Sequence, residues 1–170
     1  MKPFQAIATD KSNRASADKE EILLAAAAGG FEYVDLDVAS APSNTAIEKA
    51  KACGAKVIVS YHDHVGTPTL GDLQQILLSE RQSGGDVFKI VTTAQHPRDN
   101  LTVLWFLEKK PPNTKLVSFA MGPIGVPSRV LSPFFGAEFT FAALSDDSTT
   151  ADGQLSIDTL RSVWQTLGLS

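Results

Sequence analysis

The 170-residue chain carries a single cysteine, Cys53, so no intrachain disulfide can form and a reducing, intracellular compartment suits it. Long hydrophobic runs are also missing. The longest, ILLAAAA at 22–28, falls far short of the roughly 20 residues that span a bilayer and reads as a core helix. The start of the chain shows no signal-peptide pattern, and no membrane partner is expected. Lys and Arg total 15 against 19 Asp and Glu, for a net charge of −4, with the two signs interspersed and no basic stripe. That balance argues against direct contact with nucleic acid. GxGxxG, a Walker loop and CxxC are all absent, and no cofactor is expected. His62 and His64 could share a strand face, but no third ligand lies near them, which argues against a metal.

What is present is a soluble domain's composition, 43% hydrophobic and long enough to bury a core. Strand patterns at 4–9, 31–38, 55–62, 86–93, 114–121 and 138–144 alternate with helical ones at 18–28, 44–53, 69–83, 97–109, 127–134 and 156–167. Ser43 or Asn44, Thr67-Pro68, and Ser156 with Thr159 mark helix starts. Strict alternation with apolar strands predicts an α/β fold with a parallel sheet of about six strands, either doubly wound or part of a (β/α) barrel. In both, reactive groups gather at the carboxyl ends of strands.

Polar residues cluster there. Asp35 and Asp37 end one strand pattern; Ser60, His62 and Asp63 the next; then come Lys89, Thr92 and Thr93, and finally Met121 with Gly122. The loop MGPIGVPSRV adds Ser128 and Arg129, and TTADGQLS adds Thr150 and Gln154. In GGDVFKIV, at 84–91, Lys89 interrupts a run that otherwise reads as a buried strand. Alternation sets it with Val87 and Val91, on a face that is either solvated or turned to a pocket. In the second case the lysine loses hydration and becomes a candidate nucleophilic amine. Asp35 and Asp37 either support such a pocket or cap loops and pair with lysines, and Met121 either packs or lines the ligand.

Lys89, His62 and Arg129 together suit carbonyl chemistry on an acid. The amine adds to a ketone, the resulting imine acidifies the neighbouring C–H, His62 moves the proton and Arg129 grips a carboxylate.

The segments YVDLDV, VIVSYHDH, FKIVTTAQ, SFAMGPIGVPSRVLSPFFGAEFTFAAL and ADGQLS resemble, in order and spacing, the type I 3-dehydroquinate dehydratases. The resemblance covers nearly the whole chain. It implies a TIM-type barrel and dehydration of 3-dehydroquinate to 3-dehydroshikimate through a lysine Schiff base. Lys89 matches the imine-forming lysine, His62 the proton-transferring histidine and Arg129 the carboxylate-binding arginine. Gln154 matches the glutamine of the closing loop, with Thr150 near its serine and Asp152 in place of its proline; Asp35 and Met121 complete the candidate binding set.

Departures from the pattern predict a truncated barrel lacking the first two β/α units, a single domain over 1–170 that is a fragment of a longer chain. Lys11 and Ala15 fall where the family has an arginine and a glutamate, with Glu20 and Glu21 just beyond in what reads as a first helical turn. These departures also resemble the dehydratase-like domain of fungal quinate-pathway repressors. On that reading the site is impaired and senses a cyclic hydroxy acid such as 3-dehydroquinate or quinate, an activator protein is a partner, and the location is nuclear. The alternative is an active cytoplasmic dehydratase. Either way, exposed strand edges predict a homodimer, an extra helix or neighbouring domains that cover the open barrel.

Overall fold

A computed structural model of the chain describes residues 7–10, 12, 15–38 and 44–169. Its principal elements are β1 (Ile7–Thr9), α1 (Ser16–Ala28), β2 (Tyr33–Asp37), α2 (Asn44–Ala52), β3 (Lys56–His62), α3 (Leu70–Arg81), β4 (Val87–Thr93), α4 (Pro97–Glu108), β5 (Leu116–Met121), α5 (Val126–Leu131) and α6 (Ile157–Thr166). The five strands run in the order β1-β2-β3-β4-β5. β2 pairs in parallel with both β1 and β3, placing Asp35 opposite Ile58 and Asp37 opposite Ser60. Successive parallel neighbours require a crossover, and α1, α2, α3 and α4 each supply one. β4 is buried from Val87 through Thr92, as parallel strands covered on both faces must be.

The chain divides into two compact units. One takes in the described residues up to Tyr61 together with Gln75–Lys89; the other takes in His62–Gln74 and the residues from Ile90 on. In the first, Val34, Val57, Ile58, Val87 and Leu77 are nearly inaccessible. In the second, Ile90, Val103, Phe106, Leu107 and Leu116 fill the core. Among the described residues, no helix is long and apolar enough to cross a membrane.

Two expected elements differ. The segment 138–144 is not a sixth strand. Its backbone bonds begin with Glu138 N donating to Leu116 O and end at Ala143, which makes one isolated parallel bridge to Ser156. A ladder needs a partner strand, and here the partner is the short run entering α6. Phe139 and Phe141 spend the apolar character of this segment on ring contacts, with each other at 5.6 Å and from Phe141 to Phe119 at 6.2 Å. The helix expected at 127–134 stops at Leu131 and continues as a 3₁₀ turn over Ser132–Phe135, closed by Gly136 at φ 92°. Pro133 lacks the N–H that a continuing α-helix would need.

Helix starts show their own chemistry. Ser156 Oγ accepts the Thr159 N–H at 3.3 Å, as its position predicts. α3 is opened by Thr69, whose hydroxyl donates to Asp72 Oδ2 at 2.7 Å, two residues past the expected Thr67. Asp99 accepts the backbone N–H groups of Gln95 and His96, each at 2.8 Å, ahead of α4. Ser43 and Lys11 lie outside the described residues, as does the start of the strand expected at 4–9.

Candidate active site

In the first unit, Lys89 is 5% exposed, so the solvated-face alternative does not hold. Its ammonium donates to Asp35 Oδ2 at 2.8 Å, and that carboxylate is itself 4% exposed. A buried lysine needs such a partner, because an unpaired charge away from water is prohibitively costly. The pair joins β2 and β4 and so reaches across β3. Asp35 thus serves as the lysine's counter-ion. Its other oxygen, Oδ1, is buried with no hydrogen-bond partner among the described residues, as is the hydroxyl of Ser60.

A second carboxyl in this unit was not anticipated. Glu80, on α3, is 4% exposed, and neither of its oxygens has a partner among the described residues. Burial first, then Asp35 and Asp37, push it from 4.5 up to about 9, so it holds its proton at neutral pH. The available signal was helical spacing: Leu73, Leu77 and Glu80 form one buried stripe, and an acid stands where the period calls for an apolar side chain.

A small cleft in the same unit is lined in part by Asp10, Lys19, Glu20, Asp35 and Asp37. Glu20 is therefore placed beside the β2 carboxylates, one turn further into α1 than the first-turn position expected of it. Ala15 stands at the start of α1 in extended conformation, φ −60° and ψ 150°, and gives no side-chain cap.

The second unit holds the anion-binding candidates. Arg129 is 3% exposed on α5, its guanidinium 4.2 Å over the Phe119 ring. Nη2 donates to the Asp152 carbonyl at 3.5 Å, while Nε is buried without a partner among the described residues. Burial pulls the group below the usual guanidinium range, down to about 10, and it remains a cation at neutral pH. A buried, incompletely paired guanidinium is suited to a carboxylate.

Its loop is tied down by Ser128. That hydroxyl accepts the Ala120 N–H at 2.9 Å and donates to Gly125 O at 2.8 Å, while Ser128 N donates to Asn100 Oδ1 at 3.0 Å. Gly125 is required there, since a Cβ would collide with the Ala120 carbonyl. Ser128 thus aims the arginine without contributing a reactive group.

The ADGQ loop packs on the turn that follows Met121. Gly122 N donates to Asp152 O at 3.2 Å, and a Cβ on Gly153, at φ 73°, would collide with the Gly122 carbonyl. Gln154 Oε1 accepts from Thr150 N at 2.7 Å and from Thr150 Oγ1 at 3.0 Å, so these two candidates brace each other. Met121 is half-buried beside that turn, and its carbonyl accepts from Ala94 N.

His62 stacks against His64 with centroids 6.1 Å apart. Asp63 caps the turn after β3, Oδ1 accepting from Val65 N at 2.8 Å and Gly66 N at 2.9 Å. Thr92 and Thr93 serve the same turn. Thr67 Oγ1 lies 2.9 Å from Thr92 Oγ1, and Thr93 Oγ1 donates to Asp63 O at 2.8 Å. No group of three His, Cys, Asp or Glu among the described residues could hold a metal ion.

A match to the family described as type I 3-dehydroquinase spans residues 8–170. The chain belongs to that family. It is 33% identical to the 3-dehydroquinate dehydratase of Dehalococcoides mccartyi over 98% of this chain and 76% of that protein. It is 36% identical to the 3-dehydroquinate dehydratase of Pyrococcus abyssi over 80% of this chain and 60% of that protein. The crystal structure of 3-dehydroquinate dehydratase from Geobacillus kaustophilus superposes with a TM-score of 0.85 at 25% identity, covering 95% of this chain and 67% of that one. These relatives overturn the expectation of a metabolite-sensing repressor domain: each is named as the enzyme. The activator partner and the nuclear location were expected only on that reading. Ala15, the residue at position 11 and the expected absence of the first two β/α units had suggested that reading, but the match over residues 8–170 is to the enzyme family.

Proposed function

We propose that the protein is an active type I 3-dehydroquinate dehydratase that converts 3-dehydroquinate to 3-dehydroshikimate through an imine on Lys89. The observation that carries this reading is the buried amine of Lys89, paired at 2.8 Å with Asp35, in a chain matched to the family over residues 8–170. Once its proton is gone, the amine adds to the substrate ketone and water leaves to form the imine. The imine draws electrons from the neighbouring carbon, so that its C–H ionises, with His62 accepting the proton. The electron pair then expels the β-hydroxyl, protonated as it departs as water. Hydrolysis of the conjugated imine returns Lys89 and releases product. Arg129 holds the substrate carboxylate, Gln154 and Thr150 belong to the loop that closes over it, and Met121 lines it from the end of β5. Asp35 keeps the lysine in place between turnovers.

Two structural expectations belong to this reading. The five strands correspond to consecutive strands of a (β/α) barrel, which the 0.85 TM-score supports. β1 and β5 end the strand order, and a second copy or a neighbouring domain that pairs with such a strand satisfies its backbone groups.

Borohydride reduction in the presence of 3-dehydroquinate, followed by peptide mass spectrometry, tests the chemistry. An adduct on Lys89 and turnover in the ordinary enzyme range, roughly 1 to 10³ per second, are expected. Turnover without any lysine adduct would remove the central step.

A further inference from the structure

We propose that Ser60 is a positioning residue for the lysine chemistry: its hydroxyl is a reserve donor to Asp35, engaged when Lys89 leaves that carboxylate to bond the substrate. The consequence for turnover rests on the dehydratase reading; the contact itself does not.

The sheet register brings the three groups together within the first unit. β3 lies between β2 and β4, so the 2.8 Å bond from Lys89 to Asp35 crosses over β3. Asp35 stands opposite Ile58 and Asp37 opposite Ser60, and residues paired in a parallel ladder project to the same face. On the other side of β3, Asp86 N donates to Val57 O at 2.8 Å, and three residues further along both strands Lys89 draws level with Ser60. The ion pair therefore runs over the stretch of β3 that carries Ile58 and Ser60 on the face shared with Asp35. One strand spacing and two residue steps separate Asp35 from Ser60, about 8 Å between α-carbons. Their side chains close that gap to a hydrogen bond by turning toward each other.

Both groups lack a partner that burial calls for. Ser60 is fully buried, and its hydroxyl has no hydrogen-bond partner among the described residues; the same holds for Asp35 Oδ1. The carboxylate oxygen is an acceptor short of a donor, and the hydroxyl carries one donor that swings about a single bond. Two orphaned polar groups on one buried face are costly at rest, which is how a catalytic arrangement differs from a merely stable one. Asp37, directly opposite Ser60, is half-buried toward the strand end, where water reaches it.

The ammonium of Lys89 has three N–H donors, whereas a protonated imine has one. Asp35 therefore loses its charged donor while it remains buried. A hydroxyl that turns toward it keeps the anion bonded and in place, and turns back when hydrolysis restores the amine. Such a group favours the states in which Lys89 is covalently engaged and does not itself hold substrate, so it acts on kcat and not on KM.

The test is Ser60→Ala. Because the hydroxyl is unpartnered at rest, the unfolding constant of the otherwise native protein should change by no more than about twofold. With 3-dehydroquinate, kcat should fall about tenfold at constant KM, as it does when one hydrogen bond is lost from the covalent states alone. A fall in kcat that is matched by a loss of stability would mark a hydroxyl that only supports the core, and would overturn the proposal. The same substitution is then made in Lys89→Met, where Asp35 has no ammonium and the hydroxyl is already engaged. There Ser60→Ala should raise the unfolding constant about tenfold, measured by urea denaturation. Equal effects in the two backgrounds, or an unchanged kcat in an active enzyme, would overturn the proposal. The tenfold effect in Lys89→Met, alongside native protein that shows no turnover, would sustain the contact and refute the dehydratase reading instead. If Lys89→Met does not fold, Lys89→Leu carries the same comparison.

Discussion

Replacing Asp35 with asparagine tests the centre of the first unit. The substitution preserves shape and removes a charge from a pair whose side chains are 6% and 1% exposed and whose polar atoms lie 2.8 Å apart. What remains is a buried ammonium without its counter-ion. Breaking a buried pair by deleting one partner costs about 3–5 kcal/mol, far above the cost at an exposed pair such as Lys56 with Glu32. For a chain of this length that corresponds to a fall in melting temperature on the order of 10 °C. The loss should also depend on pH. An unpartnered Lys89 relieves its burial by giving up its proton, so the gap between variant and native protein should close by about 1.4 kcal/mol for each unit of pH above the point where this begins.

Urea denaturation at several pH values measures both quantities. Asp35→Asn with Lys89→Met should recover part of the loss, since no charge is then left alone, and the double-mutant cycle should report a coupling well above about 1 kcal/mol. If Asp35→Asn were within about 0.5 kcal/mol of the native protein at pH 7, the range of an ordinary surface substitution, or if its deficit were independent of pH, the buried-pair account would be wrong.

Three further predictions come from the same geometry. Ser128→Ala leaves the Ala120 N–H and the Gly125 carbonyl without their partner. It should cost about 1–3 kcal/mol in urea denaturation and raise KM more than it lowers kcat, because the loop aims Arg129. Arg129→Lys removes the planar group stacked 4.2 Å over Phe119. With a charge-assisted contact worth about 1.5–3 kcal/mol, KM should rise roughly ten- to a hundredfold, and an unchanged KM would refute the carboxylate-binding role. Glu80→Leu should flatten the dependence of stability on pH. The native carboxyl ionises near 4.5 when unfolded and at about 9 when folded, so its contribution is fully present below 4.5 and is lost as pH rises through about 9. Relative to native protein, the leucine variant should gain about 3 kcal/mol on going from pH 4.5 to pH 7; a constant gap would show that Glu80 is not buried as a neutral acid.

The alternation of strands and helices was legible because β-branched runs such as KVIVSYH and VFKIVTT are buried on both faces and leave no polar face to confuse with a helix. The aromatic run at 138–144 misled for the same reason. It has the composition of a strand, and whether a ladder forms depends on a neighbour that composition does not reveal. Lys89 stood out as a charge inside an apolar stretch, and Arg129 as a base in the loop after a strand end. Their surroundings did not, because Asp35 lies 54 residues from Lys89 in sequence and Asp152 lies 23 residues from Arg129. Thr92 and Thr93 drew attention as polar groups at a strand end, yet their hydroxyls are engaged with the turn at 63–67. Position in the fold raises a residue's prior of being reactive; its hydrogen bonds decide what it does.

Glu80 shows the limit from the other side. An acid in the stripe formed by Leu73 and Leu77 reads locally as a flaw in a helical pattern, and for stability alone a leucine would serve better there. Holding a proton from pH 4.5 to neutrality costs the fold about 3 kcal/mol, a large share of what a domain of this size has in reserve. Burial is the larger cause, and Asp35 and Asp37 on β2 add to it, so the acid is kept neutral by its surroundings and not by any hydrogen-bond partner among the described residues. A leucine at position 80 escapes that cost, and the pH dependence of stability that comes with it should go too.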